Sequence, residues 1–421
     1  MKQTVNVVTK FVFTILLLVI LYAYAMFQGG FVSWFLFYGM LPFLLYMLGV
    51  LLYPISNWNI DRTLSKYMFQ SGDTLAVDVH IERKFPFPLY YCVIEEYVPE
   101  TLNRVGTKSE GYQYMGNPDE LRKAKRIKRV AFPWFKRSIH FHYEFPYLPR
   151  GEHHFHSIRV KTGDFFGFVS KQAYYTVPGR VLVYPHRRGV SMTKRVNSFD
   201  EGAAPSYSQT KRDTTVVTGV REYAPGDRFS WIDWKTSAKK NAMMTKEFEQ
   251  QKSSDVLLVL DATEGVGEKR LAFEGSVELT ASIIESYKRR ESQLAFLVLG
   301  SEHKFFPFTK DRTQYDGMNQ YLSKIEPVGK TTFAESLLKQ QQGLPNHLIV
   351  MVVSRSLTPS LKTSLVRLKE KHARVVFFYI EAKEHITSEQ RQFLRELGVS
   401  GVVVNVLSES EMTQAKFEVS T

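Results

Sequence analysis

Cysteine occurs once in the 421 residues, at Cys92. That excludes an internal disulfide, a CxxC redox pair and a cysteine-based zinc site, and it fits a reducing compartment. Charge is missing altogether from residues 11–60, where Asp, Glu, Lys, Arg and His do not occur. Catalytic signatures are missing too. Gly275-Ser276 does not extend into a G-x-S-x-G elbow. The Gly329-Lys330-Thr331 run lacks the glycine five residues earlier that a phosphate-binding loop requires, because Lys324 stands there. No internal repeat of 20 to 50 residues is visible either.

The uncharged stretch is long enough, at about 1.5 Å per residue of helix, to cross a hydrocarbon core of about 30 Å twice. Gln28-Gly29-Gly30 divides it into spans at 11–27 and 31–53. Trp34, Tyr38, Tyr53 and Trp58 suit the interfaces as aromatic anchors. Lys2 and Lys10 precede the first span and Arg62 and Lys66 follow the second, while the connecting loop carries no cation. The positive-inside rule then places both termini in the cytoplasm, in a two-span cell-membrane protein.

The chain as a whole has the composition of folded protein, with 44% hydrophobic and 23% charged residues. Its net charge of +13 is concentrated in part between Glu120 and Glu144, where eight Lys and Arg residues occur without an acid. The run from Arg122 to Arg129 is a solvated basic loop or a contact for anionic lipid. No nucleic-acid-binding module surrounds it, so no nucleic-acid partner is expected.

Four segments follow from patterning: a transmembrane hairpin at 1–56, an all-β sandwich at 57–190, a linker with a dense charged motif at 191–254, and an α/β doubly wound domain at 255–421. Leu75, Val77, Val79 and Ile81 alternate with polar residues as in a half-buried strand, and further short alternating runs follow. From Asp255 onward, continuous apolar strands alternate with amphipathic helices, which indicates a mainly parallel sheet whose ligands gather at the C-terminal strand ends.

Three groups of residues are candidates for chemistry. Asp261, at the end of the first apolar strand, and Thr263 can offer oxygens to magnesium. As a phosphate-accepting nucleophile Asp261 lacks the second carboxylate two residues on, since Thr263 occupies that place; capping the loop before the next helix is its structural alternative. His140 and His142 would face His156 and His154 if strands near 138–145 and 152–160 paired, giving four imidazoles for zinc. The third group is the stretch VREYAPGDRFSWIDWKTSAKKN, which sets Arg221, Glu222, Tyr223, Asp227, Arg228, Asp233, Trp234 and Lys235 around a Pro-Gly-Asp turn. Such a motif serves as a clamp between domains, as a partner-binding surface, or as a catalytic site.

This stretch closely resembles the signature of the bacterial domain-of-unknown-function family 58, the YeaD-like proteins. Arg221, Glu222, Tyr223, Pro225, Gly226, Asp227, Ile232, Trp234, Lys235, Ser237, Ala238, Phe248 and Glu249 fit its pattern. Arg150-Gly151, GDFFGF at 163–168 and VLVYP at 181–185 fit as well, with Phe165 where the family commonly has Pro and Ser230 where it has Arg. The resemblance implies a von Willebrand factor A-like C-terminal domain with a degenerate metal-ion-dependent adhesion site. Asp261 takes the first position and Thr263 substitutes for the first Ser. Gly265 replaces the second Ser, Thr331 takes the loop Thr position, and Arg355 stands where the last Asp is expected. A cation in place of that acid weakens magnesium binding, so no cofactor is expected. The resemblance further implies partners: a MoxR-type AAA+ ATPase and a transglutaminase-like membrane protein. The expected role is a non-enzymatic membrane adaptor for protein–protein interaction in the cell envelope. The alternatives are a magnesium-dependent adhesion-type binder and, behind it, an Asp-based phosphohydrolase.

Overall fold

The computed structural model describes residues 2–104, 109–117, 127–193, 217–224, 227, 229–248, 255–264, 270–329, 332–341 and 343–421. Two N-terminal helices, α1 (Lys2–Gln28) and α2 (Phe31–Leu52), form an antiparallel pair. Both are long and apolar enough to cross a membrane. The turn between them is tight because Gly29 adopts a φ of +62°, a conformation that costs a residue with a Cβ far more.

The β-rich part comprises β1 (Asn59–Leu64), β2 (Met68–Gln70), β3 (Leu75–Glu82), β4 (Tyr91–Glu96), β5 (Ile127–Ala131), β6 (Ser138–Phe145), β7 (Gly151–Gly163) and β8 (Ser170–Tyr184). They make a three-stranded sheet, β1-β3-β6, and a five-stranded sheet, β2-β8-β7-β4-β5. The alternation in β3 and β6 has the expected effect. Leu75, Val77, Val79 and Ile81, with Ile139, Phe141, Tyr143 and Phe145, point into one core shared with Ile94, Phe155, Val160 and Val181 of the larger sheet. The result is a partial sandwich.

β9 (Gly189–Thr193) leaves this unit, and β10 (Val217–Glu222), α3 (Trp234–Lys240) and β11 (Met244–Phe248) form a small unit around the signature stretch. The α/β part follows as β12 (Val256–Asp261), α4 (Arg270–Arg289), β13 (Leu294–Leu299), β14 (Lys304–Thr309), α5 (Arg312–Lys324), α6 (Phe333–Gln341), β15 (Ile349–Ser354), α7 (Pro359–Lys371), β16 (Arg374–Ile380), α8 (Ser388–Val399), β17 (Val403–Leu407), α9 (Glu409–Met412) and β18 (Lys416–Ser420). Its six-stranded sheet has the order β14-β13-β12-β15-β16-β17. All pairings are parallel except that of the edge strand β14 with β13. Every residue of β12 is buried because helices cover both faces: Leu258 and Leu260 pack with α4 and α5, and Leu257 and Val259 with α6, α7 and α8. Near the C-terminus β18 pairs in parallel with β9, joining segments more than two hundred residues apart.

The imagined histidine hairpin does not form. β6 pairs with β3, and β7 pairs with β4 and β8, so the two strands belong to different sheets. Alternation had fixed which face each strand buries but not its neighbour.

Candidate functional site

At the C-terminal edge of the six-stranded sheet, β12 ends in Asp261 and its neighbour β15 ends in Ser354. Asp261 is buried, and both carboxylate oxygens are taken. Oδ1 accepts from the Thr263 backbone N–H at 3.0 Å and the Thr263 hydroxyl at 2.6 Å. Oδ2 accepts from Ser354 Oγ at 2.5 Å and Ser356 Oγ at 3.2 Å. Arg355, also buried, donates to the Thr263 carbonyl at 2.6 Å and lies 4.8 Å from the Phe273 ring centre. Burial pulls the Arg355 pKa below its ordinary value, while the charges of Asp261 and Glu381 oppose that pull.

A hard cation requires oxygens with free lone pairs and several negative charges. Here the one carboxylate already accepts four hydrogen bonds and the buried Arg355 guanidinium is bonded to the adjacent Thr263 carbonyl, so these residues do not fit a resident divalent ion. Among the described residues no group of three or more His, Cys, Asp or Glu side chains is placed to hold one. Asp261 and Thr263 do come together as expected, whereas Thr331 lies outside the described residues. The two serines that complete the bonding of Asp261 are 93 and 95 positions away, and no local spacing reveals them.

The junction between the β-rich and α/β parts starts from the same corner. Phe273, under Arg355, also carries the guanidinium of Arg150 at 5.7 Å. Arg150 stands immediately before β7 and grips Glu274 of α4 with two bonds of 2.9 and 3.2 Å, and its third nitrogen donates to the Leu322 carbonyl at 2.6 Å. Burial alone would raise the Glu274 pKa, but Arg150, helped by Arg270 and Arg104, holds it below the usual carboxylate value. One α4 turn further, Arg188 Nε lies 2.7 Å from Glu278 Oε1, Tyr112 donates to Glu278 at 2.6 Å, and Arg188 reaches the Met412 carbonyl at 2.8 Å. Arg187–Glu285, Lys324–Glu152 and Arg104–Glu326 surround these pairs. Of this set only Arg150 appeared in the family pattern. Its partner is 124 positions away.

The signature stretch is braced within itself. β10 and β11 pair antiparallel, and Asp233 is tied to β11 by its N–H to the Met244 carbonyl at 2.9 Å. The Asp233 carboxylate then caps α3 through the Thr236 N–H at 3.1 Å. Arg221 donates to Asp227 at 2.6 Å, and the other Asp227 oxygen accepts from the Ala224 N–H at 3.0 Å. Those two contacts, Arg221 first, keep the Asp227 pKa below its ordinary value. Ser237 Oγ accepts from the Met244 N–H at 2.9 Å and donates to the Asp233 carbonyl at 2.7 Å. Ile232 and Met244 turn inward, while Phe229 is 71% exposed and Trp234 67% exposed, with Glu222, Lys235 and Met243 also at the surface. Arg228 lies outside the described residues.

The remaining sequence candidates disperse. His140 sits opposite His80, with their Nδ1 atoms 3.1 Å apart, and His142 bonds Asp78 at 2.8 Å. The Asp78 bond holds the His142 pKa above its ordinary value. His154 pairs with Glu152 at 3.3 Å on the other sheet. Of the basic run, 122–126 lie outside the described residues, and Lys128 and Arg129 are exposed on β5.

Residues 219–386 match the family described as protein of unknown function DUF58. The uncharacterized protein YeaD of Bacillus subtilis (strain 168) is 38% identical over 317 residues, covering 75% of this chain and 74% of that one. The chain belongs to the DUF58 family. The matched block starts inside β10 and runs past β16, so in this DUF58 protein it takes in both the signature stretch and the Asp261 corner. Solved structures resemble it only weakly. The PilB minor pilin from Streptococcus sanguinis has a TM-score of 0.29 at 8% identity, over 77% of this chain and 85% of that one. The CARDB domain of PF1109 from Pyrococcus furiosus has a TM-score of 0.18 at 9% identity, over 30% of this chain and 87% of that one. Neither likeness carries an argument about fold or function.

Proposed function

We propose that this DUF58 protein is a membrane-anchored, cytoplasm-facing adaptor whose signature stretch is a docking surface for another protein. The observation that carries the reading is the arrangement of that stretch: backbone and carboxylate bonds fix a small scaffold, and Phe229 and Trp234 stand on it in solvent. Rigid exposed aromatics are expensive to keep in water and are the residue type that dominates protein interfaces. The domain junction has its own ion pairs, which leaves the stretch available for a partner.

The anchor reading rests on the two apolar helices and on the placement of Lys2, Lys10, Arg62 and Lys66 outside them. A von Willebrand factor A-like assignment of the α/β part is supported by its sheet order, its antiparallel edge strand and its helices on both faces. Such domains serve as binding modules, and the fully hydrogen-bonded Asp261 corner favours binding without metal and without chemistry. The partner proposed from the family resemblance is a MoxR-type AAA+ ATPase, acting with a transglutaminase-like membrane protein.

The test is co-purification from gently solubilised membranes with ATP, ADP or no nucleotide. The wild type should retain an AAA+ ATPase in a nucleotide-dependent manner, and Trp234→Ala should lose it without losing fold. Retention that depends on Asp261 instead would move docking to the sheet edge. No ATPase under any condition would sink the adaptor reading.

A further inference from the structure

A second set of exposed aromatics lies at one end of the five-stranded sheet. The register sets Tyr91 of β4 beside Gly163 of β7, and Cys92 beside Ala131 of β5. The loops that leave those three points therefore emerge together. They carry Tyr90, Phe132, Trp134, Phe165, Phe166 and Phe168, all exposed, with Phe165 at 60% and Phe168 at 62%. Tyr90 links them through ring contacts to Phe132 at 6.0 Å and Phe165 at 4.9 Å.

The loop at 163–168 is built to hold its rings outward. The buried Asp164 carboxylate accepts from the backbone N–H groups of Phe166 and Val169. A Cβ at Gly163 would come within 2.5 Å of both Tyr91 Oη and the Val169 carbonyl, and Gly167 has a φ of +80°. The sequence GDFFGF thus specifies a braced loop with three phenylalanines turned away from any core. Exposure on this scale in water is unfavourable and marks a contact surface.

What covers it follows from what adjoins it. Val169 packs into the apolar cluster of α1 and α2 with Leu44, Met47 and Val50. The Phe166 ring lies 5.3 Å from that of Phe43, and the Tyr90 N–H donates to Tyr46 Oη at 3.0 Å. Lys10, the cation just before the first span, donates to Ser170 Oγ at 3.4 Å beside the same loop. Lys171 closes the end of α2 by donating to the carbonyls of Leu51 and Tyr53. Exposed cations adjoin these loops: Lys136 follows Phe132 and Trp134 in the same loop, Lys161 stands two residues before Gly163, and Lys84 follows Arg83, whose N–H bonds the Arg137 carbonyl.

We infer that this end of the sheet is a membrane-insertion surface, whose phenylalanines sink into the interfacial layer of an anionic bilayer while the surrounding lysines meet its headgroups. The inference rests on the reading of α1 and α2 as a membrane hairpin. Aromatic rings prefer that layer, and apolar faces of interfacial elements reach about 5–10 Å into it. The β-rich part therefore lies down on the lipid instead of hanging from the hairpin by residues 53–58.

The experiment uses the full chain in vesicles of zwitterionic and anionic phospholipid. Cys92 is buried and its thiol is pushed up to about 12, so a maleimide fluorophore reacts at an introduced cysteine. Probes are placed at Phe166→Cys, with Phe168→Cys as a second site, at Val19→Cys in α1, and at exposed His142→Cys on the other sheet. Each labelled variant is checked for wild-type melting. A nitroxide placed high on the lipid acyl chain should quench the probes at 166 and 168 several-fold more than the one at 142, and aqueous iodide should show the reverse order. Probes at 166 and 168 that are as open to iodide as the one at 142, with Val19 still quenched from the lipid, would overturn the inference and leave the hairpin in place. Loss of lipid quenching at Val19 as well would overturn both.

Discussion

Two arginine–carboxylate pairs in this molecule differ in geometry and in setting: one is forked and buried, the other rests on a single bond near the surface. Arg150–Glu274, at the domain junction, has an arginine side chain only 1% exposed, and its guanidinium is further bonded to a carbonyl and stacked against Phe273. Arg221–Asp227, in the signature stretch, has an arginine side chain 45% exposed. Water screens the second pair, so it orders a turn without holding domains together. The first pair is desolvated, and removing one partner strands a buried charge. Among the described residues, the buried pair that joins the two halves comes from Arg150 and Glu274, which are far less conspicuous in the sequence than the charges of the signature stretch.

The largest effect should come from breaking the buried pair. Arg150→Met is expected to destabilise the protein by about 3–5 kcal/mol in denaturant unfolding, because Glu274 keeps its burial and loses its forked partner, with only Arg270 left at 3.4 Å. Arg150→Met with Glu274→Leu should recover most of that loss. Acid should act on the same pair. The Glu274 pKa is depressed in the fold, so its contribution is present above its ordinary value of 4.5 and fades as pH falls through the lower folded value. Wild type should therefore lose stability below that point, and the double variant should show a flatter acid limb.

A smaller effect is expected at the sheet edge. Arg355→Met removes a charged bond to the Thr263 carbonyl and should cost about 1.5–3 kcal/mol. Magnesium at millimolar concentration should leave wild-type melting unchanged, and a stabilisation by magnesium confined to Arg355→Met would show that the guanidinium takes the place of a cation. In the signature stretch, Asp233→Ala should speed amide exchange across α3 at unchanged global stability, because only the helix cap is lost.

The sequence exposed the parts of this fold whose signal is local. Five apolar residues in a row gave β12 as a strand covered on both faces, and alternation gave the buried faces of β3 and β6. Partner choice was not local, so the pairing of β6 with β3 in place of β7 could not be read. Pro307 hid β14, since proline suits only an edge strand. The β9–β18 pair and the Arg188–Glu278 pair depend on folding that brings distant segments together. At the candidate site the Asp261–Thr263 contact was legible from a two-residue spacing, and Ser354 and Ser356 were not.

The most direct test of the docking claim is a photo-crosslinking amino acid at position 234 of the full-length protein in its native membrane. The Trp234 side chain is 67% exposed, so the account predicts adducts whose mass rises by that of a second protein. Crosslinks only to residues of its own β-rich or α/β part would contradict it, and would make the signature stretch an internal clamp.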